Sequence, residues 1–376
     1  MEKVMNELLT RIESAGFSRR QFAIKLKVSR ETFRRGISCE SEMDVETFFK
    51  ATNFLYDNPE KKREITKKYF LACTLPSHLE IGLIYFQVQA EYDAMNKLIE
   101  KNRGNSSLSI FFAIYKLFNK RNNNELRGQA LYEEIRSKRF SANPHVQVMV
   151  NILYMLALAD KPNNNASIQY VDEVESNLKL IKKGRIRDYL RIFADERIAF
   201  MHLWRIELEE CRKIAYKIID SDIDVPMIRM TGVSCLAESF QIEDPIKAEA
   251  LLVQSGEMLK EIKVSQQSQK YLAVQTTLAH IRIYNNINVD KIDVSILHPT
   301  ERATFEYRFG DRELAISIFE KLKEAGHTPF SRIAYSMCIN DIEGIKQALL
   351  DFELMGLSFY GRMYKMILNR EGVVLI

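Results

Sequence analysis

Apolar residues in this chain return every three or four positions, segment after segment, and the scarce glycines and prolines fall between those segments. That spacing confines the fold to packed α-helices. A period of 3.6 puts one apolar stripe on each helix, whereas a half-buried strand needs strict alternation. Tyr189–Trp204 and Ala248–Ile262 follow the helical period. The run LSIFFAIYKLF (108–118) has a strand-like composition, yet Phe111, Ile114, Tyr115 and Phe118 share one helical face, so it reads as helix as well. The tail Val373–Ile376 is left open as an exception.

Short polar breaks punctuate the pattern at Asn102–Ser107, Asn122–Asn124, Asn143–Pro144, Pro162–Asn165, Lys183–Arg185, Asp220–Pro226, Asp244–Pro245, Pro299, Gly310, Gly326–Pro329 and Asn340. Many lie about 15–20 residues apart, so a helix pair occupies about 35–40 residues, the period of tetratricopeptide-like repeats. In GDRELAISIFEKLKEAG (310–326) the residues Leu314, Ala315, Ile318, Phe319 and Leu322 make a predicted buried face, and Gly326 ends the helix. The asparagine clusters RNNNEL (121–126) and KPNNNAS (161–167) are predicted to be solvated turns, where Asn tolerates left-handed geometry. The expected fold class is all-α: a helix-turn-helix over 1–58, a right-handed superhelix of degenerate tetratricopeptide-like repeats over 59–355, and a capping or dimerisation segment over 356–376. A single irregular helical domain is the competing architecture.

Composition removes several classes. No run approaches the roughly 18 apolar residues of a membrane helix. The amphipathic start MEKVMNELLTRIES, with its three Glu, is neither a secretory nor a transit signal, so a cytoplasmic protein is expected. The five cysteines (39, 73, 211, 235, 338) form no CxxC pair and are expected to be reduced and buried. The six histidines show no HxxxH spacing, so no metal site is expected, and no cofactor. There is no phosphate-cradling Gly loop, no GxSxG and no other catalytic constellation, so no catalytic residues are assigned and an enzyme is not expected.

Charge is distributed unevenly. Residues 1–40 hold nine Lys and Arg against five Asp and Glu, which matches the net charge of +4 for the whole chain. A basic patch on a near-neutral body points to a polyanion-binding module. Its centre is FSRRQFAIKLKVSRETFRRGI (17–37), which reads as a helix-turn-helix. Ser18 and Ser29 can cap two short helices. Phe22, Leu26 and Phe33 supply the core, Ala23 permits a close crossing, and Val28 plugs the turn. Lys27 stands at the turn position commonly held by glycine, a left-handed position that costs a lysine about 1 kcal/mol. With Phe33 turned inward, Arg30, Glu31, Arg34 and Arg35 face outward. Arg reads guanine bidentately and Glu accepts from cytosine N4, while Arg19 and Ser29 suit phosphate oxygens. Double-stranded operator DNA, read by a dimer on two half-sites, is the expected partner. The alternative is a helical-repeat protein–protein interaction scaffold, with its basic start incidental, or a phosphatase-type or other quorum-sensing effector without specific DNA readout. Such a protein would bind DNA weakly and blind to sequence.

In the order of its elements the chain resembles the AimR arbitrium receptors of temperate phages, relatives of the peptide-sensing helix-turn-helix and tetratricopeptide regulators of Gram-positive bacteria. The resemblance spans nearly the whole length. It is carried by the helix-turn-helix and then by KKREITKKYFLACTLPSHLEIGLIYFQVQAEYDAMNKLIEK (61–101), RMTGVSCLAESFQIEDPIKAEALL (229–252) and ERATFEYRFGDRELAISIFEKL (301–322). It implies a homodimeric transcriptional regulator of the lysis–lysogeny decision, released from its operator by a secreted peptide of about six residues with a free C-terminal carboxylate. The family's peptides end in a basic residue, a glycine and a small residue. The resemblance therefore implies a cation for the carboxylate, at Arg229, and an acid for the peptide's basic side chain, at Glu301. His202 and Glu238 stand where the family carries asparagines, and Glu238 offers an alternative acid. The resemblance further implies a dimerising C-terminal end, where Phe359, Met363, Met366 and Ile367 make a plausible apolar face.

Overall fold

The computed structural model describes all residues except Lys161, Pro162, Gln267 and Val374–Ile376, so the open question about the Val373–Ile376 tail falls almost wholly outside the described residues. Among the described residues there are α-helices and short 3-10 turns but no strand, and no helix is long and apolar enough to cross a membrane.

Two compact units divide the chain: Met1–Leu126 with Arg139–Met149 and Ile181–Leu190, and Arg127–Lys138 with Val150–Leu180 and Arg191–Ile376. The first extends well beyond residue 58. It contains α1 (Glu2–Ser14), α2 (Arg19–Lys25), α3 (Arg30–Ile37), α4 (Val45–Leu55), α5 (Pro59–Ala72), α6 (Pro76–Val88), α7 (Tyr92–Lys101) and α8 (Ser109–Asn122). Then come α9 (Gly128–Arg136), α10 (Pro144–Asp160), α11 (Asn164–Leu180) and α12 (Arg185–Trp204). α9 and α11 belong to the second unit; α10 and α12 give their first turns to the first unit and the rest to the second. The second unit continues with α13 (Leu208–Ile219), α14 (Pro226–Phe240), α15 (Pro245–Glu261) and α16 (Gln269–Asn285), then α17 (Pro299–Phe309), α18 (Arg312–Ala325), α19 (Pro329–Ile339), α20 (Ile342–Leu354) and α21 (Ser358–Arg370).

The prolines and caps explain the helix starts. Proline fixes the first-turn backbone and has no N–H to leave unsatisfied, and it opens α14, α15, α17 and α19 within the predicted breaks. From α13 onward consecutive helices pack pairwise, and α17 also packs on α19, the layering that helix-pair repeats require. The close approach of α13 to α14 depends on Gly232, where a Cβ would come within 2.8 Å of Ile218 Cγ2.

Several breaks carry no glycine or proline. Helices end at Ala90, Ile206 and Lys263 with a non-glycine residue at positive φ (57°, 66° and 57°). In each, the next N–H reaches back five residues to a carbonyl, as in Glu207 N to His202 O at 2.9 Å, which satisfies the helix end.

Some expectations are corrected. KPNNNAS is not wholly a solvated loop: α11 starts at Asn164, which is buried, and its N–H donates to Met355 O at 3.0 Å. The Asn164 side chain donates to the same carbonyl at 3.2 Å, tying the start of α11 to the α20–α21 turn. On α18, Ala315 and Phe319 are buried and Ile318 and Leu322 half-buried, while Leu314 is exposed because it lies in the first turn, beyond the packed face. On α21, Met366 is exposed, and the enclosed face is Phe359, Met363, Tyr364, Ile367 and Leu368. Positions 359, 363 and 367 recur every fourth residue and 364 and 368 flank them, which turns 366 away. Cys39 is exposed because it takes the left-handed end of α3 (φ 59°); the other four cysteines are buried thiols.

Candidate functional site

The amino-terminal helices are built as their residues dictate. Ser18 Oγ accepts from Gln21 N at 3.3 Å and Gln21 Oε1 accepts from Ser18 N at 2.9 Å, a reciprocal cap on α2. α2 closes with Lys27 at φ 55°, its N–H on Ile24 O and the Val28 N–H on Ala23 O, both at 3.0 Å. Ser29 Oγ then caps α3 through Thr32 N at 3.4 Å. Phe22 and Phe33 are buried with ring centroids 5.8 Å apart; enclosing rings of this size contributes about 2–3 kcal/mol each. Val28 is half-buried rather than fully enclosed.

This packing leaves Arg19, Arg20, Ser29, Arg30, Glu31, Arg34 and Arg35 exposed. Among the described residues Arg19, Arg20, Arg30 and Arg35 make no ion pair. Arg34 differs. It donates to Glu31 (Nε–Oε2 3.1 Å, Nη2–Oε1 2.9 Å) and to Glu40 (Nη1–Oε1 2.5 Å, Nη2–Oε2 2.9 Å). Hydrogen bonds from Arg34 hold both carboxyls below their usual range. Glu31 and Arg34, both assigned to base edges on sequence grounds, are thus paired with each other. Glu40, which sequence reasoning missed, completes the clamp from just past α3.

The four residues assigned to a peptide all lie in the second unit but do not converge. Arg229 and Glu238 stand nine residues apart on α14, which is half a turn out of phase and about 13 Å along the axis. Arg229 Nη2 donates to Ser221 O (2.7 Å) and Ile223 O (3.1 Å), while its buried Nε has no partner. Glu238 is buried and accepts from Tyr360 OH on α21 at 2.5 Å. Burial pushes its carboxyl up to about 7, against the pull of that hydrogen bond. Glu301 is also buried, with His298 Nδ1 at 3.4 Å and His280 Nδ1 at 3.8 Å. Burial opposes its ionisation, but the two histidines outweigh it and hold the carboxyl below its usual range. His280 in turn meets Tyr364 of α21, rings 5.8 Å apart. One helix, α21, therefore covers Glu238 directly through Tyr360 and approaches the Glu301–His280 pair one turn later through Tyr364. His202 is half-buried and faces Glu207, Nδ1 to Oε2 at 2.6 Å.

Sequence reasoning missed a buried polar junction between α12, α14 and α16. Lys270 Nζ lies 2.8 Å from both Glu196 Oε1 and Thr231 Oγ1, and Arg197 Nη2 lies 2.8 Å from Glu196 Oε1. Burial would raise the Glu196 carboxyl, but the charges of Arg197 and Lys270 and the hydrogen bonds of Lys270 and Thr231 hold it at about 2. It also missed the meeting of Glu42, Cys73 and His78 in the first unit. Partners some 30–70 positions apart leave no local spacing to find.

A solved structure described as "Structure of phAimR-Ligand" aligns with 89% of this chain and 99% of its own, at 17% identity and a TM-score of 0.71. A second, "Structure of SeMet-phAimR", aligns with 99% of this chain and 98% of its own, at 15% identity and a TM-score of 0.62. At these identities the likeness is one of fold. No curated protein sequence matches the chain. Residues 62–337 match the family described as "AimR transcriptional regulator-like", a span that begins after the helix-turn-helix. An all-helical array of this architecture and a family match across most of the chain lead to one assignment: the chain belongs to the AimR transcriptional regulator-like family.

Proposed function

We propose that this protein is a cytoplasmic regulator of a phage lysis–lysogeny decision that binds operator DNA as a homodimer and leaves it when a short peptide binds the helical array. Residues 1–58 read DNA, 59–355 hold the peptide and 356–376 support dimerisation. The observation that carries the reading is the exposed cationic face of α3. Arg30 and Arg35 stand free of ion pairs on a helix whose other side is locked by Phe33, in a chain of a transcriptional-regulator family. Such a helix fits the major groove, with its first residues at base edges. Arg19 and the Ser29 hydroxyl serve phosphates. Arg34 exchanges Glu40 for a base or phosphate on docking, and Glu31 either stays with Arg34 or turns to a cytosine.

A relative solved with a ligand supports a ligand-binding role for the array. On that reading Arg229 offers its unused Nε–H to the peptide carboxylate. Glu238 and Glu301 take the peptide's basic group only when α21 shifts, because each is more than nine-tenths buried as it stands. His202 lines the approach. The peptide thus competes with the protein's own C-terminal helix, a direct route from ligand to the dimerising segment.

The test is an anisotropy titration of operator DNA with wild type, Arg30→Ala and Arg35→Ala. Each substitution is expected to weaken binding and to lower the salt slope by about one. Operator affinity unchanged in both variants would count against the reading. For the ligand, Arg229→Ala and amidation of the peptide's C-terminus should do similar damage. Equal binding of free and amidated peptide by the wild type would remove Arg229 from the carboxylate.

A further inference from the structure

We propose that Glu42, Cys73 and His78 form a zinc-binding site that fastens the loop following α3 to the corner between α5 and α6. One ligand atom from each of the three lies within 4.8 Å of the others. Cys73 caps the end of α5 and is fully buried; His78 sits in the first turn of α6 at 8% exposure; Glu42 arrives from the loop between α3 and α4. The set is a thiol, an imidazole and a carboxylate, all donors that zinc takes in protein sites, whereas magnesium and calcium favour oxygen and would use only the carboxylate.

The distances suit a metal. Two nitrogen or oxygen ligands, each about 2.0–2.1 Å from a tetrahedral zinc, stand roughly 3.3 Å apart. His78 Nδ1 and Glu42 Oε2 are 2.9 Å apart, so both can turn to one ion with small movements. The charges suit it as well, because a carboxylate and a thiolate neutralise a divalent cation. The nearby Lys101 ammonium donates to Leu71 O at 2.8 Å. On binding, the Cys73 thiol gives its proton to solvent and its sulfur pair to the metal. A water completes four-coordination.

Outer hydrogen bonds already orient the carboxylate, as they do around metal-ligating acids. Glu42 Oε1 accepts from Thr74 N and Thr74 Oγ1, each at 2.5 Å, and from Leu75 N at 3.1 Å. Next to Glu42, the Met43 carbonyl accepts from Tyr69 OH at 2.6 Å, and Tyr69 is stacked on Phe48 at 3.9 Å. A carboxylate that only capped α6 would account for the Thr74 and Leu75 bonds. A hydrogen bond to Glu42 would likewise account for His78 Nδ1 at 2.9 Å; what it leaves unexplained is the Cys73 sulfur converging on the same pair.

The experiment uses the full-length protein, reduced and stripped of metal, titrated with Co2+ and then Zn2+. The wild type is expected to develop a thiolate-to-cobalt charge-transfer band that saturates at a single equivalent per chain and is erased by Zn2+. Cys39→Ser, at the exposed cysteine, should leave the band unchanged, and Cys73→Ser should abolish it. Glu42→Gln and His78→Gln should each weaken Co2+ binding about 10- to 100-fold or more. They decide the matter if Cys73→Ser does not fold. A wild type with no charge-transfer band at excess Co2+ would overturn the site. So would a band that persists in Cys73→Ser, or wild-type affinity in both Glu42→Gln and His78→Gln. The DNA reading does not bear on any of these outcomes.

Discussion

The helix-turn-helix and the second unit treat charge in opposite ways. In residues 17–37 every Lys and Arg is exposed, and the core beneath them is aromatic and aliphatic. In the second unit the informative charges are inside: Glu196 with Lys270 and Arg197, Glu249 with Arg282, Glu301 with two histidines, and Glu238 with a tyrosine. Exposed charges contribute little to stability and are free to meet a partner. Buried ones must be matched within the fold, and a missing partner costs several kcal/mol. The contrast separates exposed charges that a partner can reach from buried charges already matched within the fold.

The sharpest way to break this comparison is to remove a buried partner. Arg282 Nε and Nη2 lie 3.0 and 2.7 Å from Glu249 Oε1, with Asn288 Nδ2 at 3.1 Å, and both charged side chains are about nine-tenths enclosed. Arg282→Ala should destabilise the protein by about 3–5 kcal/mol in urea unfolding, because Glu249 is left buried with no cation beside it. Arg30→Ala should change stability by no more than about 0.5 kcal/mol. Similar losses in both variants would erase the distinction.

A second, smaller effect concerns Glu238. Its folded-state carboxyl titrates at about 7 against an ordinary 4.5. Between those values the native state keeps a proton that the unfolded chain has released, so stability falls as pH rises from 4.5 to 7 and is flat above. The span corresponds to roughly 3 kcal/mol. Glu196, held at about 2, acts the other way and lower down, losing its contribution as pH falls from 4.5. Glu238→Gln should therefore remove the slope between 4.5 and 7 and be the more stable form at pH 8. Tyr360→Phe, which deletes the hydrogen bond favouring ionisation, should move the transition to higher pH. Parallel stability profiles for wild type and Glu238→Gln would show that the carboxyl is not held neutral by burial.

The same contrast explains what could be read from the sequence. Ser18, Ala23, Ser29 and Phe33 act within one short stretch, so the caps and core of the α2–α3 pair were legible from the sequence, as was the left-handed Lys27. Breaks marked by Pro226, Pro245, Pro299 and Pro329 were legible because proline has one place in a helix. The ends at Ala90, Ile206 and Lys263 were not, because a left-handed alanine, isoleucine or lysine has no sequence mark and is imposed by the packing around it. The residues proposed for a peptide came from resemblance, which placed them in the array but did not foresee α21 lying over Glu238 and near Glu301. The C-terminal face was read with Met366 where Tyr364 and Leu368 do the packing. Nothing in the chain's local spacing announces that Glu42 meets Cys73 and His78.

At the proposed DNA surface the comparison predicts an ordering among neighbours. Arg30 and Arg35 are unpaired, whereas Arg34 must first leave Glu40. Arg30→Ala and Arg35→Ala should each weaken operator binding by about 1–3 kcal/mol in an anisotropy titration. Glu40→Ala, which releases half of the clamp on Arg34, should tighten it by a few tenths to about 1 kcal/mol. Weaker binding in Glu40→Ala would mean that the clamp presents Arg34 to DNA rather than withholding it.

The smallest effect probes the turn itself. Lys27 holds φ 55°, a conformation that costs a non-glycine residue about 1–2 kcal/mol. Glycine removes that strain but loses about 0.5–1 kcal/mol more chain entropy on folding. Lys27→Gly should therefore raise stability by at most about 1 kcal/mol. The same substitution removes an exposed cation beside α3, so on the proposed DNA reading its operator affinity should fall slightly as its melting temperature rises. A residue whose replacement improves the fold and harms the contact belongs to the recognising surface. If stability and affinity fall together, Lys27 is instead held in place by packing, and the boundary between the recognising face and its support lies further out than the α2–α3 turn.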